Sequence, residues 1–170
     1  WYLDGRKTYG AAGYERARAS WFKDSDIGDM TGKVVAITGA NKGLGFAAAK
    51  QVAELKAEVH LLCRNLTAAE EAKKRLVEVT KNSNIFVHEC DASDFDSIRA
   101  FGKKFSATQK PIHVLVNNAG GMPAERTENR QGKETIMACG LGGTMLLTSV
   151  CLPFLAASGD GRVINVSSGG

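Results

Sequence analysis

Closely spaced cysteines are missing from this chain. Cys63, Cys90, Cys139 and Cys151 stand far apart, which excludes the paired spacing of a metal site, and no metal is expected. Cys63 and Cys90 fall near the ends of expected strands, so reduced core thiols in a cytosolic or similar compartment are the reading. Repeats and low-complexity segments are also missing. Charge of one sign is scarce: 22 Lys and Arg face 18 Asp and Glu, for a net charge of +4. The basic groups Lys73-Lys74-Arg75 and Lys103-Lys104 sit among acids on expected helices, so they read as solvated faces and no nucleic-acid partner is expected. No signal peptide is recognisable. Trp1 rather than Met opens the chain, so targeting stays open between a cytoplasmic and a mitochondrial location.

One stretch lacks charge altogether, from Thr135 to Gly159. It is long enough to span a bilayer, but Gly140, Gly142, Gly143 and Pro153 interrupt it, and a buried helix is preferred. What is present is ordinary for one compact domain with a real core: 170 residues, 44% hydrophobic and 24% charged. His60, His88 and His113 lie in or beside apolar strands and read as structural. Residues 1–30 mix Trp1, Tyr2, Tyr9, Tyr14, Trp21 and Phe22 with Arg6, Lys7, Arg16 and Arg18. Such a segment packs on the domain or a subunit neighbour, in preference to adsorbing at a membrane interface.

From residue 33 apolar strands alternate with helical patterns. Strands are expected at 34–38, 58–63, 84–88, 112–116 and 162–167. The first helix starts near Gly43 and turns Leu44, Ala47, Ala48, Val52 and Leu55 to the sheet. A second starts at Thr67, with Glu70 three residues later as in a capping box. A third starts near Ser93 or Asp94, and a helix at 133–158 that carries the uncharged stretch follows. Strands apolar on both faces and separated by helices specify parallel βαβ units, hence a Rossmann-type, doubly wound α/β fold.

Directly after Val34-Val35-Ala36-Ile37 comes Thr38-Gly39-Ala40-Asn41-Lys42-Gly43-Leu44-Gly45. A strand that turns through glycines into a helix brings backbone N–H groups and a positive dipole end to a pyrophosphate, although a plain tight turn would also use glycine. Asn117-Asn118-Ala119-Gly120 closes a second strand, and Val163 to Ser168 ends a third. In an open parallel sheet all three ends face one crevice.

With these residues in hand, the chain from about 30 to 170 resembles the short-chain dehydrogenase/reductase family, through TGxxxGxG paired with NNAG. The resemblance implies a cofactor site formed by Gly39, Asn41, Lys42, Gly43, Leu44, Gly45, Arg64, Asp91, Ala92, Asn117, Ala119 and Gly120. Strand two ends at Cys63-Arg64 without the acid that would bind the ribose hydroxyls of NAD(H). Arg64 offers a planar fork to a 2′-phosphate and Lys42 a second positive charge, so NADP(H) is expected over NAD(H), the competing reading being two solvated cations. Asp91 and Ala92 match the position that holds the adenine, while Asp91 could instead cap the third helix.

Carbonyl reduction needs a placed hydride and an acid for the developing alkoxide. The family supplies these with Tyr, Lys, Ser and Asn. Ser168 matches the serine that orients the substrate oxygen, with Ser167 ranked second. Matching Gly143-Thr144-Met145-Leu146-Leu147-Thr148 to NxxGxxxLT puts Gly140 where the asparagine belongs. The Tyr-x-x-x-Lys pair, expected on a helix after strand five, has no counterpart in these 170 residues, so the fold is read as truncated after the fifth strand, with residues 31–170 as the NADP(H)-binding part.

Two functions follow. One is an NADP(H)-linked oxidoreductase acting on a small carbonyl or alcohol, completed by further sequence. The other is a non-catalytic structural or nucleotide-binding subunit. In either case the large apolar residues of the 133–158 helix, Ile136, Met137, Leu141, Leu146, Leu147, Val150, Leu152, Phe154 and Leu155, need cover, from a homo-oligomer or a larger assembly.

Overall fold

A computed structural model of the protein describes residues 10–18, 20 and 28–167. A short helix, α1 (Ala11–Arg18), precedes the sheet; Trp1, Tyr2, Arg6, Lys7, Tyr9, Trp21 and Phe22 of the extension lie outside the described residues. Then follow β1 (Val34–Thr38), α2 (Gly43–Glu54), β2 (Glu58–Cys63), α3 (Leu66–Thr80), β3 (Ile85–Glu89), α4 (Phe95–Ser106) and β4 (Val114–Asn117). The uncharged run begins as α5 (Thr135–Met137), passes through a π-helical segment (Ala138–Gly143), continues as α6 (Thr144–Ala157) and leads to β5 (Arg162–Asn165).

All strand pairs are parallel, in the order β3-β2-β1-β4-β5. This is the doubly wound arrangement that the alternating pattern predicts. Side chains of a strand alternate between faces, and β1 shows how that builds two cores. Val35 and Ile37 join Val59, Leu61, Ala49, Ala53, Ala72 and Leu76 beneath α2 and α3. Ala36, one residue out of phase, joins Leu62, Phe101, Phe105, Leu115, Leu147 and Cys151 beneath α4 and α6. Phe101 and Phe105 are almost wholly buried, each worth about 1.5–3 kcal/mol of apolar transfer.

Three local expectations need correction. The innermost row of α2 is Gly45, Ala49 and Ala53; Ala48 and Val52 pack beside it as expected, whereas Leu44 is 74% exposed and Ala47 is exposed. The glycine turn delivers Gly45 against the β4 end, and positions four and eight later share its face. Helix α3 starts at Leu66, not Thr67, because the Asn65 side chain accepts from the Ala68 amide at 2.9 Å and closes the first turn. Of the large side chains on the 133–158 helix expected to need cover from another chain, Leu147 and Leu155 are buried within this one, and Leu146, Val150 and Phe154 are packed against the second core. Ile136, Met137, Leu141 and Leu152 stay exposed, and Met145 joins them.

The stretch Thr135–Ala157 is long and apolar enough to cross a membrane, yet here its inner row packs on α4 and the sheet. The four cysteines are free, and all but the half-buried Cys139 are buried. Burial, with minor help from neighbouring Cys151, Asp91 and Cys63, pushes the Cys90 thiol up to about 12; burial alone does the same for Cys151. Such thiols are inert at neutral pH. The histidines are structural, as their apolar setting suggests. His60 Nδ1 meets His88 Nε2 at 2.7 Å and His60 Nε2 meets Glu58 at 2.8 Å, while the Lys110 ammonium donates to both Glu58 oxygens. His113 accepts the Val34 amide at 3.0 Å.

Candidate functional site

The carboxyl ends of β1, β2, β3 and β4 define one edge, and each of the helices α2, α3 and α4 starts there. An α-helix leaves its first amides without internal partners. In α3 Asn65 takes up one of them, and in α4 Asp94 accepts from Asp96 and Ser97. At α2 the N-cap is Lys42, extended and without any side-chain cap. The start of α2 is thus electropositive and open to an external acceptor.

The glycine turn is held in place by the β4 end. Thr38 is buried, and its Oγ1 accepts from the amides of Asn118 (2.9 Å) and Ala119 (2.8 Å). Asn118 Nδ2 donates back to the Thr38 carbonyl at 2.9 Å. This clasp leaves no room at Gly45, where a Cβ would stand 2.5 Å from Asn118 Nδ2 and 2.6 Å from the Gly39 carbonyl oxygen. Gly39 and Gly43 turn through positive φ, +64° and +57°. Burial pushes the Cys63 thiol up, against a smaller opposing pull from the backbone amides of Ala40 and Asn41.

Asn117 is turned inward. Its Nδ2 donates to Thr148 Oγ1 (3.1 Å) and Asn165 Oδ1 (2.9 Å), joining β4 to α6 and β5. Its Oδ1 is buried and meets no hydrogen-bond partner among the described residues. Ala119 is half-buried and Gly120 is exposed on the crevice rim.

At the β2 and β3 ends, exposed Arg64 and half-buried Asp91 line one cavity of about 540 Å³. Asp91 Oδ1 accepts from the Ser93 amide (2.8 Å) and hydroxyl (2.7 Å), while its own amide donates to Ser97 Oγ. The cap of α4 is Asp94, so Asp91 is not spent as a helix cap. Ala92 is buried, and its carbonyl oxygen lies where a Cβ on Gly143 would be. Only glycine lets the π-helical segment pass this close to the Asp91 loop. Around Gly140, by contrast, a Cβ would meet open space.

The structure thus brings Gly39, Asn41, Lys42, Gly43, Leu44 and Gly45 to the mouth of α2, Asn117, Ala119 and Gly120 to the adjoining β4 end, and Arg64, Asp91 and Ala92 to the flanking strand ends. Ser168 lies outside the described residues. Sequence reasoning did not single out Thr38, Asn118, Thr148 or Asn165 for their roles here. The signal for Thr38 was a hydroxyl at the last position of an apolar strand.

A five-stranded parallel sheet with helices on both faces, a glycine turn at its switch point and an open helix start define a Rossmann-type α/β protein. The comparisons narrow this: residues 33–170 match the family model described as short chain dehydrogenase, and the chain belongs to the short-chain dehydrogenase/reductase family. It is 37% identical over 170 residues to human dehydrogenase/reductase SDR family member 12, covering all of this chain and 53% of that protein. From sequence, Gly13-Tyr14-Glu15 and Val59-His60-Leu61-Leu62-Cys63-Arg64 point to the same branch. Human retinol dehydrogenase 12 is 42% identical over 139 residues, 82% of this chain and 44% of that protein. The chain therefore spans about half the length of the curated relatives it matches. Among solved structures, a metagenomic short-chain oxidoreductase in complex with NADP aligns with TM-score 0.71 and 31% identity, covering 82% of this chain and 64% of that one. An NADPH-dependent 3-quinuclidinone reductase from Rhodotorula rubra aligns with TM-score 0.70 and 26% identity, covering 86% and 56%.

Proposed function

We propose that residues 31–170 form the NADP(H)-binding part of an oxidoreductase that interconverts a small carbonyl compound and its alcohol. The carrying observation is the start of α2, left without a side-chain cap behind a turn whose Gly45 is too tightly packed for any side chain. The free amides of Gly43, Leu44 and Gly45 bind the pyrophosphate, with the helix dipole behind them. Arg64, exposed at the end of β2, pairs with the 2′-phosphate; Lys42 adds a second charge at the N-cap. Asp91 keeps one carboxylate oxygen on Ser93 and presents the other to the adenine, beside Ala92. Asn117, tied to Thr148 and Asn165, fixes the wall near the nicotinamide end, and Ala119 and Gly120 form its rim. Bound there, the coenzyme supplies or accepts a hydride. Ser168 orients the substrate oxygen, and a Tyr-x-x-x-Lys pair elsewhere in the intact protein handles its proton.

Gly140 supports a second reading. Without an amide side chain at that position the chain serves as a nucleotide-binding subunit with no catalysis of its own, held in an assembly through the 133–158 helix. NADPH-dependent carbonyl reduction by the intact protein would exclude this reading.

Fluorescence titration tests the coenzyme. NADPH is expected to bind at least tenfold more tightly than NADH, and Arg64→Glu to remove that preference. Unchanged NADPH affinity in Arg64→Glu overturns the 2′-phosphate assignment.

A further inference from the structure

Between the β4 end and α5 the chain makes a small hairpin that the motifs do not account for. Glu128 bridges Glu134 in antiparallel fashion, the Thr135 amide donates to the Thr127 carbonyl at 2.9 Å, and the Asn129 amide donates to the Lys133 carbonyl at 2.8 Å. The Asn129 side chain works on both sides of this turn. Its Oδ1 accepts from the amides of Gln131 (3.0 Å) and Lys133 (2.8 Å), which sets the turn. Its Nδ2 reaches out of the hairpin and donates to the Ser93 carbonyl at 2.7 Å. Ser93 in turn gives its amide and hydroxyl to Asp91 Oδ1. Gln131 makes a second tie, to Asp94 (3.0 Å) and Asp96 (3.3 Å) at the start of α4. Asn129 and its neighbours Glu128 and Arg130 form a wall of the same cavity as Arg64 and Asp91.

We propose that Asn129 is a positioning residue for the adenosine end of the coenzyme, acting through Ser93 to fix the carboxylate of Asp91. The proposal rests on the NADP(H) reading above. A side chain held through a chain of hydrogen bonds with defined donors loses its orientation when one link is removed, and the ligand then bears the cost of restoring it. The hairpin so becomes the outer side of the adenosine cavity, 38 residues along the chain from Asp91. Its effect is confined to one half of the coenzyme, because its ties run to the β3–α4 loop and α4.

The test measures, in the intact protein, binding of NADPH, of 2′,5′-ADP as the adenosine half and of reduced nicotinamide mononucleotide as the other half. Asn129→Ala is expected to weaken NADPH and 2′,5′-ADP about five- to tenfold and to leave the mononucleotide unchanged. Asn129→Asp keeps the acceptor that sets the turn but loses the donor to Ser93, and is expected to show the same split with Tm within a few degrees of wild type. Equal weakening of both halves in Asn129→Asp means a structural role and overturns the proposal; so does unchanged 2′,5′-ADP affinity in both variants. If the wild-type protein binds neither NADPH nor 2′,5′-ADP, the coenzyme reading fails first and carries this inference down with it.

Discussion

β1 and β5 are both short parallel strands rich in valine and isoleucine, separated only by β4, and their fates differ. Every residue of β1 is buried, whereas every residue of β5 is exposed, with Val163 at 38% and Ile164 at 48%. Composition does not separate them; cover does. β1 lies between two cores, one under α2 and α3 and the other under α4 and α6. β5 is the last strand of the described sheet, and the outer row of the preceding helices, Met137, Leu141, Met145 and Leu152, is as bare as the strand. The edge that carries the glycine turn is covered on both faces, whereas the wall beside it leaves large apolar side chains exposed.

The sharpest way to break this division is a pair of truncations. Phe105→Ala, in the covered half, is expected to cost about 3–5 kcal/mol by denaturant unfolding, while Leu152→Ala costs within about 0.5 kcal/mol. Equal costs would mean that the two halves do not differ in packing as described. A second pair uses glycines. In Gly45→Ala the new methyl meets the Gly39 carbonyl oxygen, which cannot move aside, for a loss of about 1–3 kcal/mol, together with NADPH binding. Gly140→Ala meets nothing and is expected to be neutral or to gain up to about 1 kcal/mol from helix propensity.

The smallest expected effect concerns pH. Burial, reinforced by His60 and Lys104, lowers the His88 pKa to about 4, and burial lowers that of His60 against the pull of Glu58. Glu58 itself, half-buried, is held below the usual range because Lys110 and His60 outweigh its desolvation. Both histidines therefore take up protons less readily in the fold than in the unfolded chain, which binds more protons below pH 6.5. Stability is full above that value and falls as pH drops toward 4, by on the order of 1 kcal/mol at pH 5.5. A His88→Gln variant should flatten the slope of Tm against pH, and an unaltered slope would place the sensitivity elsewhere.

Much of this was legible in the chain itself. Strand period, glycine positions and the two strand-end motifs announced the sheet and its edge, because they are local and the backbone enforces them. The face of α2 was misjudged because hydrophobicity favoured Leu44 and Ala47, while the helix is set by the closest contact its glycine allows. The start of α3 was missed because Asn65 and Thr67 are both good caps, and only geometry chooses. Asn129 could not be found at all: its partner Ser93 lies 36 residues away, and no spacing rule connects a turn to a loop it touches only after folding.

Thr38 has one further consequence. A hydroxyl owns one proton and two lone pairs, and here both pairs take amides while the proton points to the Val116 carbonyl at 3.4 Å. Nothing is left to react. An electrophilic probe or an acyl donor entering the cleft would find at this threonine an oxygen already fully subscribed, so any covalent labelling there must come from other side chains.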